Sequence, residues 1–375
     1  MSIEIEAAVL ASPAPQRTFA EGRPLSIETL LLDPPKADEV VVRIEAASLC
    51  RSDLSVITGI RAWPMPIVPG HEASGIVEEV GSEVTGLVPG DRVVLVYQPQ
   101  CGHCPDCIEG DAHLCEPGLA ANRAGALLSG GQRLHRGADA VHHHMGLSAF
   151  ATRAVVSEAS LVKVDPDLDP DIAALFGCAV MCGAGSVIHT GHVTAGETVA
   201  IVGIGGVGAS AILGARVAGA ARIIAVDPDP EKRKAALDFG ATDAVAAGDD
   251  AAAMIVEMTK GGVDCAFETA GQHDAFATAY GAAKRGGRVV TVGLVNPQTP
   301  FALDIAGLVT GAKSITGSYM GSCNPKIDIP KFVGLYRSGR FPVDKLITHR
   351  MPLAEVNTAL DRMADSRAFR QILKP

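Results

Sequence analysis

Four cysteines crowd into one short stretch: Cys101, Cys104, Cys107 and Cys115 read C-x2-C-x2-C-x7-C. Four thiolates on so tight a loop can close a tetrahedral shell, which suits zinc. A shell of four sulfurs leaves no open position, so this site is expected to be structural. Iron–sulfur clusters also take four cysteines, at comparable spacings, and would give a brown protein. Gly102 and Gly110 let the chain fold back on itself. Nine cysteines are present in all, an odd total, and their clustering points to metal before disulfides.

Two further cysteines and a histidine stand apart. Cys50 sits in A-A-S-L-C-R-S-D, His71 in P-G-H-E and Cys178 in L-F-G-C-A-V. Sharing one zinc, they would leave a fourth position for water or substrate, which is the catalytic arrangement. Each also has a plain structural explanation. A buried free cysteine behaves as a small hydrophobe, and a single histidine is usually no ligand. Spacing leaves both readings open.

A third motif concerns phosphate. The stretch V-A-I-V-G-I-G-G-V-G-A holds Gly203, Gly205 and Gly208 as G-x-G-x-x-G, and Asp227 closes the next apolar run 19 residues beyond Gly208. An apolar strand before the motif and a helix after it make the dinucleotide fingerprint. Gly203 permits the tight turn, Gly205 the approach of a pyrophosphate, and Gly208 close helix–strand packing. The helix N-terminus offers free N–H groups. Asp227 would accept hydrogen bonds from the adenosine ribose and repel a 2′-phosphate, favouring NAD over NADP. The plain alternative is a glycine-rich turn that binds nothing.

The elements that must position these groups fall into two styles. The first third reads as short β segments, at Glu39–Ala46, Gly75–Glu79 and Arg92–Tyr97, with turns at Val80-Gly81-Ser82 and Pro89-Gly90-Asp91. Gly118 to Gly146 lacks periodicity and reads as a long loop. Asp171 to His189 looks helical. Strands and helices then alternate from Thr198–Val202 through Val207–Ala218, Arg222–Val226 and Pro230–Phe239, with further strands at Val263–Glu268, Arg288–Val292 and Ser314–Gly317. That alternation argues an α/β fold with a parallel sheet and crossover helices. After about residue 325 the pattern reverts to mixed elements.

Composition narrows the classes. A chain of 375 residues with 47% hydrophobic and 20% charged residues is ordinary globular protein of two or three domains. The net charge of −10, without a Lys/Arg run, argues against nucleic acid. The uncharged stretch Thr198–Ala215 is better explained as strand, turn and buried helix than as a membrane span. The N-terminus lacks the apolar core of a secretory signal. A soluble cytoplasmic protein is expected, with no membrane partner.

Taken together, these motifs resemble the zinc-dependent medium-chain alcohol dehydrogenases. The resemblance runs from the first strands to the C-terminus. It rests on Gly70-His71-Glu72, the four-cysteine lobe, the fingerprint with Asp227, and the closing segment Arg370 to Leu373. It implies a Rossmann doubly wound parallel sheet domain over 180–323 that binds NAD. It also implies a β-rich GroES-like catalytic domain over 1–179 and 324–375, with a zinc lobe at about 99–117.

Carried onto this chain, the resemblance implies a catalytic zinc on Cys50, His71 and Cys178, with Glu72 as a neighbouring or alternate ligand. A structural zinc is implied on the other four cysteines. Asp53 would orient His71 through its other ring nitrogen, and Ser52 would bond the substrate hydroxyl and begin a proton relay. Arg51 and Arg370 would pair with the cofactor pyrophosphate, and Lys232 would sit near the ribose. Gly206, Val207, Val292 and Leu294 complete the implied cofactor contacts. Tyr97, Met145 and Leu294 would line the substrate pocket, with Arg61 near its mouth. The implied activity is reversible hydride transfer between an alcohol and NAD, in a homodimer paired near Phe301 to Ser318, a tetramer being the alternative.

Two positions depart from the family pattern. Where many members end the proton relay in a histidine, this chain has Ser55, so weaker activity at neutral pH is expected. Where glutathione-adduct formaldehyde dehydrogenases carry an arginine, it has Leu119. Another thiol-adduct formaldehyde dehydrogenase stays open, as does a catalytically weak member with a binding or sensing role. The run His142, His143 and His144 is not expected to form a third metal site, because adjacent side chains on an extended segment diverge.

Overall fold

The computed structural model describes residues 1–375, and the chain forms two units. Met1–Cys178, Asn324–Pro330 and Ile347–Pro375 make the first; Ala179–Cys323 and Lys331–Leu346 make the second. Lys331–Leu346 thus departs from the first-domain assignment made for 324–375. Packing explains the placement: Val343–Leu346 lies against the helix Gly206–Ala218, and Phe332 and Phe341 are buried. No helix is long and apolar enough to cross a membrane.

The first unit holds a small closed barrel of Ile3–Leu10, Leu25–Leu32, Leu134–Arg136, Asp139–His143 and Ile67–Val68. Beside it lies a sheet ordered Leu161–Lys163, Arg92–Val96, Glu72–Val80, Glu39–Ser48, Arg370–Lys374, Ile347–Pro352, with Arg153–Ser157 also paired to Glu39–Ser48. Strand faces alternate as pleating demands: Ile5, Ala7 and Val9 point inward with Leu30, Leu32, Val68 and Val141. Each such large aliphatic side chain contributes about 1.5–3 kcal/mol through burial.

The stretch Gly118–Gly146 is not the structureless loop expected. It carries the helix Glu116–Arg123 and the strands Leu134–Arg136 and Asp139–His143, which close the barrel. Those strands are too short to show a period, and left-handed glycines at Gly130, Gly131 and Gly137 break the pattern between them. A buried ion pair ties the segment down. Arg133 Nε and Nη2 donate to Glu39 at 2.8 and 2.6 Å, and the Lys36 amide and Ser129 hydroxyl also donate to that carboxylate.

The second unit is built on a fully parallel sheet ordered Asp243–Ala246, Arg222–Asp227, Thr198–Val202, Val263–Glu268, Ala283–Thr291, Ser314–Gly317. Strands outward from Thr198–Val202 on both sides give the doubly wound order, with its switch point beside that strand. Local chemistry punctuates the crossovers. Asp229 caps the helix Pro230–Phe239 by accepting from the Glu231 amide at 2.9 Å, Pro230 occupies its first turn, and Gly240 ends it in the left-handed region. The span Asp171–His189, expected as one helix, is instead Pro170–Leu175, then Ala179–Gly185, then a π turn at Ser186–Thr190. The break leaves Cys178 outside any helix.

Candidate active site

Cys50, His71 and Cys178 are far apart in sequence and meet in the first unit. Their ligand atoms all lie within 4.8 Å of one another, and all three residues are buried. Cys50 is the N-cap of the helix Arg51–Ile57, and Asp53 in its first turn accepts from the Cys50 amide at 2.9 Å. The other oxygen of Asp53 meets His71 Nδ1 at 2.8 Å. One carboxylate therefore caps the helix and orients the ring, turning His71 Nε2 toward Cys178 Sγ, 3.6 Å away.

Gly70 must be glycine here. Its φ is +98°, and a Cβ would come 2.6 Å from the Phe150 backbone nitrogen. That turn delivers His71 inward and starts the strand Glu72–Val80.

The electrostatics suit a cation. Burial raises Asp53, but His71 and His144 together outweigh it and hold the carboxyl well below the usual carboxylate range. His71 in turn is raised, because the Asp53 and Cys50 charges outweigh its burial. A hydrogen bond from Cys178 and the charge of His71 overcome burial to lower Cys50. Two sulfurs and one imidazole, with charge density awaiting a counter-charge, are the donor chemistry of zinc with one position left over.

Glu72 and Arg370 flank this set. Arg370 lies at the start of the strand Arg370–Lys374. It is buried, 3.4 Å from Glu72 Oε2 and donating to the Leu49 carbonyl at 3.2 Å. Arg51 is exposed, with Nη2 donating to Ser366 at 3.2 Å. Ser52 is half-buried on the same short helix. Ser55 Oγ donates back to the Arg51 carbonyl at 3.1 Å. Tyr97 packs edge-on to His71 at 5.7 Å, while Met145 adopts a left-handed backbone beside His144.

The three consecutive histidines diverge. His142 Nδ1 faces Gln132, His143 Nε2 accepts from the Arg133 amide, and His144 lies against Asp53. The position of His144 beside the ligand set was not anticipated. The only hint was strand alternation, which turns it away from His143.

The four sulfurs of Cys101, Cys104, Cys107 and Cys115 likewise converge within 4.8 Å. Tetrahedral zinc–sulfur bonds of about 2.3 Å place ligand sulfurs within such a distance of each other. The left-handed turns at Gly102 and Gly110 and the helix Pro105–Glu109 fold the lobe. The Cys101 and Cys104 amides also point at sulfurs, 3.3 Å from Cys115 and Cys101 respectively. Burial pushes the Cys107 thiol up to about 12.

In the second unit, the fingerprint glycines sit between strand Thr198–Val202 and helix Gly206–Ala218. Gly203 has φ +97°, and a Cβ there would strike Ala270, whereas a Cβ on Gly205 would project into open space. That open cradle lies at the helix N-terminus, with Gly206, Val207 and Gly208 in the first turn. Asp227 ends the next strand. Its two oxygens accept from the Ile204 and Asp229 amides at 2.7 and 2.9 Å, which fixes the carboxylate against the turn. Lys232 is half-buried on the following helix, Val292 follows the strand Ala283–Thr291, and Leu294 is exposed.

Two family models match the chain. Residues 36–166 match the alcohol dehydrogenase GroES-like domain, and 206–337 match the zinc-binding dehydrogenase model. An NDMA-dependent alcohol dehydrogenase from Amycolatopsis methanolica is 40% identical over 94% of this chain and 96% of its own. The crystal structure of an alcohol dehydrogenase zinc-binding domain protein from Burkholderia ambifaria superposes with a TM-score of 0.93 at 35% identity, covering 100% and 99% of the two chains. Benzyl alcohol dehydrogenase from Acinetobacter calcoaceticus gives 0.91 at 34% identity, over 99% of each.

Proposed function

The chain belongs to the zinc-dependent medium-chain alcohol dehydrogenase family, and from that premise we propose that it interconverts alcohols and carbonyl compounds with NAD as hydride carrier. The convergence of Cys50, His71 and Cys178 carries the reading. These three would hold one zinc, and Cys101, Cys104, Cys107 and Cys115 a second. Bound zinc supplies Lewis acidity to an alcohol oxygen, and a bound nicotinamide supplies the hydride acceptor.

The chain's own residues orient and exclude. Asp53 holds the Nδ1 proton of His71 so that Nε2 stays a ligand. Arg370 holds Glu72 beside the ligands. Tyr97 packs over His71 and keeps water from that side. Ser52 Oγ would accept the substrate hydroxyl proton as it gives up its own toward solvent, acting as a relay and not as a base. Ser55 does not extend that path, because its hydroxyl is engaged with the Arg51 carbonyl and is no base at neutral pH.

NAD rather than NADP follows from Asp227, whose charge sits at the end of its strand where a 2′-phosphate would be repelled. Replacing Asp227 with serine is expected to weaken NAD by roughly tenfold to a hundredfold in kcat/KM, the worth of a charged hydrogen bond, and to narrow the gap to NADP. An unchanged coenzyme ratio would overturn the assignment. The exposed side of the edge strand Ser314–Gly317, next to exposed Ile305 and Val309, supports pairing with a second copy of the chain. Nine cysteines with no disulfide among them suit the reducing cytoplasm.

The deciding assay is NADH formation by the purified protein across aliphatic, benzylic and formaldehyde-plus-thiol substrates, with NADP, chelator and NDMA arms. Chelator-sensitive turnover with NAD is expected. Zinc-loaded protein that binds NAD yet turns over nothing in any arm would reject the reading.

A further inference from the structure

We propose that His144 is a specificity-determining residue that accepts a hydrogen bond from a second hydroxyl on the substrate, so that the favoured alcohols are short diols. The inference rests on the alcohol dehydrogenase reading and deepens it.

His144 is completely buried beside the zinc ligands, its ring edge-on to His71 at 5.4 Å. On its far side Trp63 packs edge-on at 5.0 Å, and the Trp63 indole is held by donating to the His143 carbonyl at 3.1 Å. Trp63, His144, His71 and Tyr97 thus form a continuous run of rings past the ligand set. An apolar wall would serve a hydrocarbon alcohol. This run holds one imidazole outside the ligand set, His144, and neither of its nitrogens closes a hydrogen bond within the protein.

A buried polar group without a partner is destabilising until a ligand satisfies it. The two nitrogens are not equivalent. Nδ1 faces Asp53 Oδ1 at 3.3 Å, off the line of a closed bond. The carboxylate favours a proton on that nitrogen, so Nε2 carries a lone pair. The group that satisfies it must be a donor, and a hydroxyl on the carbon next to the reacting carbinol is the smallest donor an alcohol can carry there.

The test compares isosteres that differ only by hydroxyl for methyl: ethylene glycol against propanol, and the next two homologues of each pair. Wild type is expected to prefer the best diol in kcat/KM by several-fold to about tenfold, the yield of one hydrogen bond. His144→Phe keeps a ring and should abolish that preference. His144→Gln keeps an acceptor and should retain part of it. A structural role would lower diol and mono-alcohol together, leaving their ratio unchanged, and that result overturns the proposal. Trp63 is the sole tryptophan, so its fluorescence reads binding of the same pairs without turnover. Protein inactive on every alcohol would refute the functional reading. The fluorescence titration would still decide this one, with equal binding of diol and isostere counting against it.

Discussion

Replacing Cys178 with alanine should lower alcohol oxidation by at least about three orders of magnitude while removing only one of two bound zinc ions. Three ligands cannot lose one sulfur and keep the metal's position: the remaining Cys50 and His71 offer two donors, and structural and catalytic zinc sites alike need three or more from the protein. Lewis acidity accounts for several kcal/mol of transition-state stabilisation, and each 1.4 kcal/mol is a factor of ten in rate. The fold should survive, because Cys178 lies between helices and contributes to no strand. The converse comparison is Cys115→Ala. It should release the other zinc and destabilise the lobe through loss of its four-sulfur shell, with activity falling in proportion to folded protein. Zinc content by elemental analysis, read beside kcat, separates the two. Retention of both ions and of turnover in Cys178→Ala would show that the buried triad is not the catalytic centre.

Arg133→Ala is expected to cost about 3–5 kcal/mol of stability, because it strands the Glu39 carboxylate in the interior. Glu39 is 0% exposed and takes two donor bonds from Arg133, with the Lys36 amide and Ser129 hydroxyl as its remaining partners. At about 2–4 °C per kcal/mol for a unit of this size, the melting temperature should fall by roughly 10 °C. The double variant Glu39→Leu with Arg133→Met removes both charges and should recover much of that loss, since an apolar pair carries no desolvation penalty. Thermal denaturation of the two variants decides it. A single variant within about 1 kcal/mol of wild type would mean that water reaches Glu39 once the arginine is gone.

The boundary between legible and illegible features follows physical range. The fingerprint turn was readable because its chemistry is local: φ +97° at Gly203, an open cradle at Gly205 and Asp227 at the strand end all follow from neighbours in the chain. The cysteine lobe was readable for the same reason, its four ligands lying within one loop. Strand Ser314–Gly317 and helix Pro230–Phe239 also stand where patterning puts them. Barrel closure was not readable, because Leu134–Arg136 is too short for any period to show and is held by partners about a hundred residues away, Leu31–Leu32 and Glu39.

By itself, then, the sequence determined the doubly wound sheet, the nucleotide turn and the sulfur lobe, and named Cys50, His71 and Cys178 as candidate ligands. Only tertiary structure brought those three together, sent Arg370 inward to Glu72, and set His144 against Asp53. The reason is that each depends on long-range packing: the register of Arg370–Lys374 against Glu39–Ser48, the left-handed turn at Gly70, and the break in helix before Cys178. Side-chain spacing along the chain carries no information about distances set by such crossings.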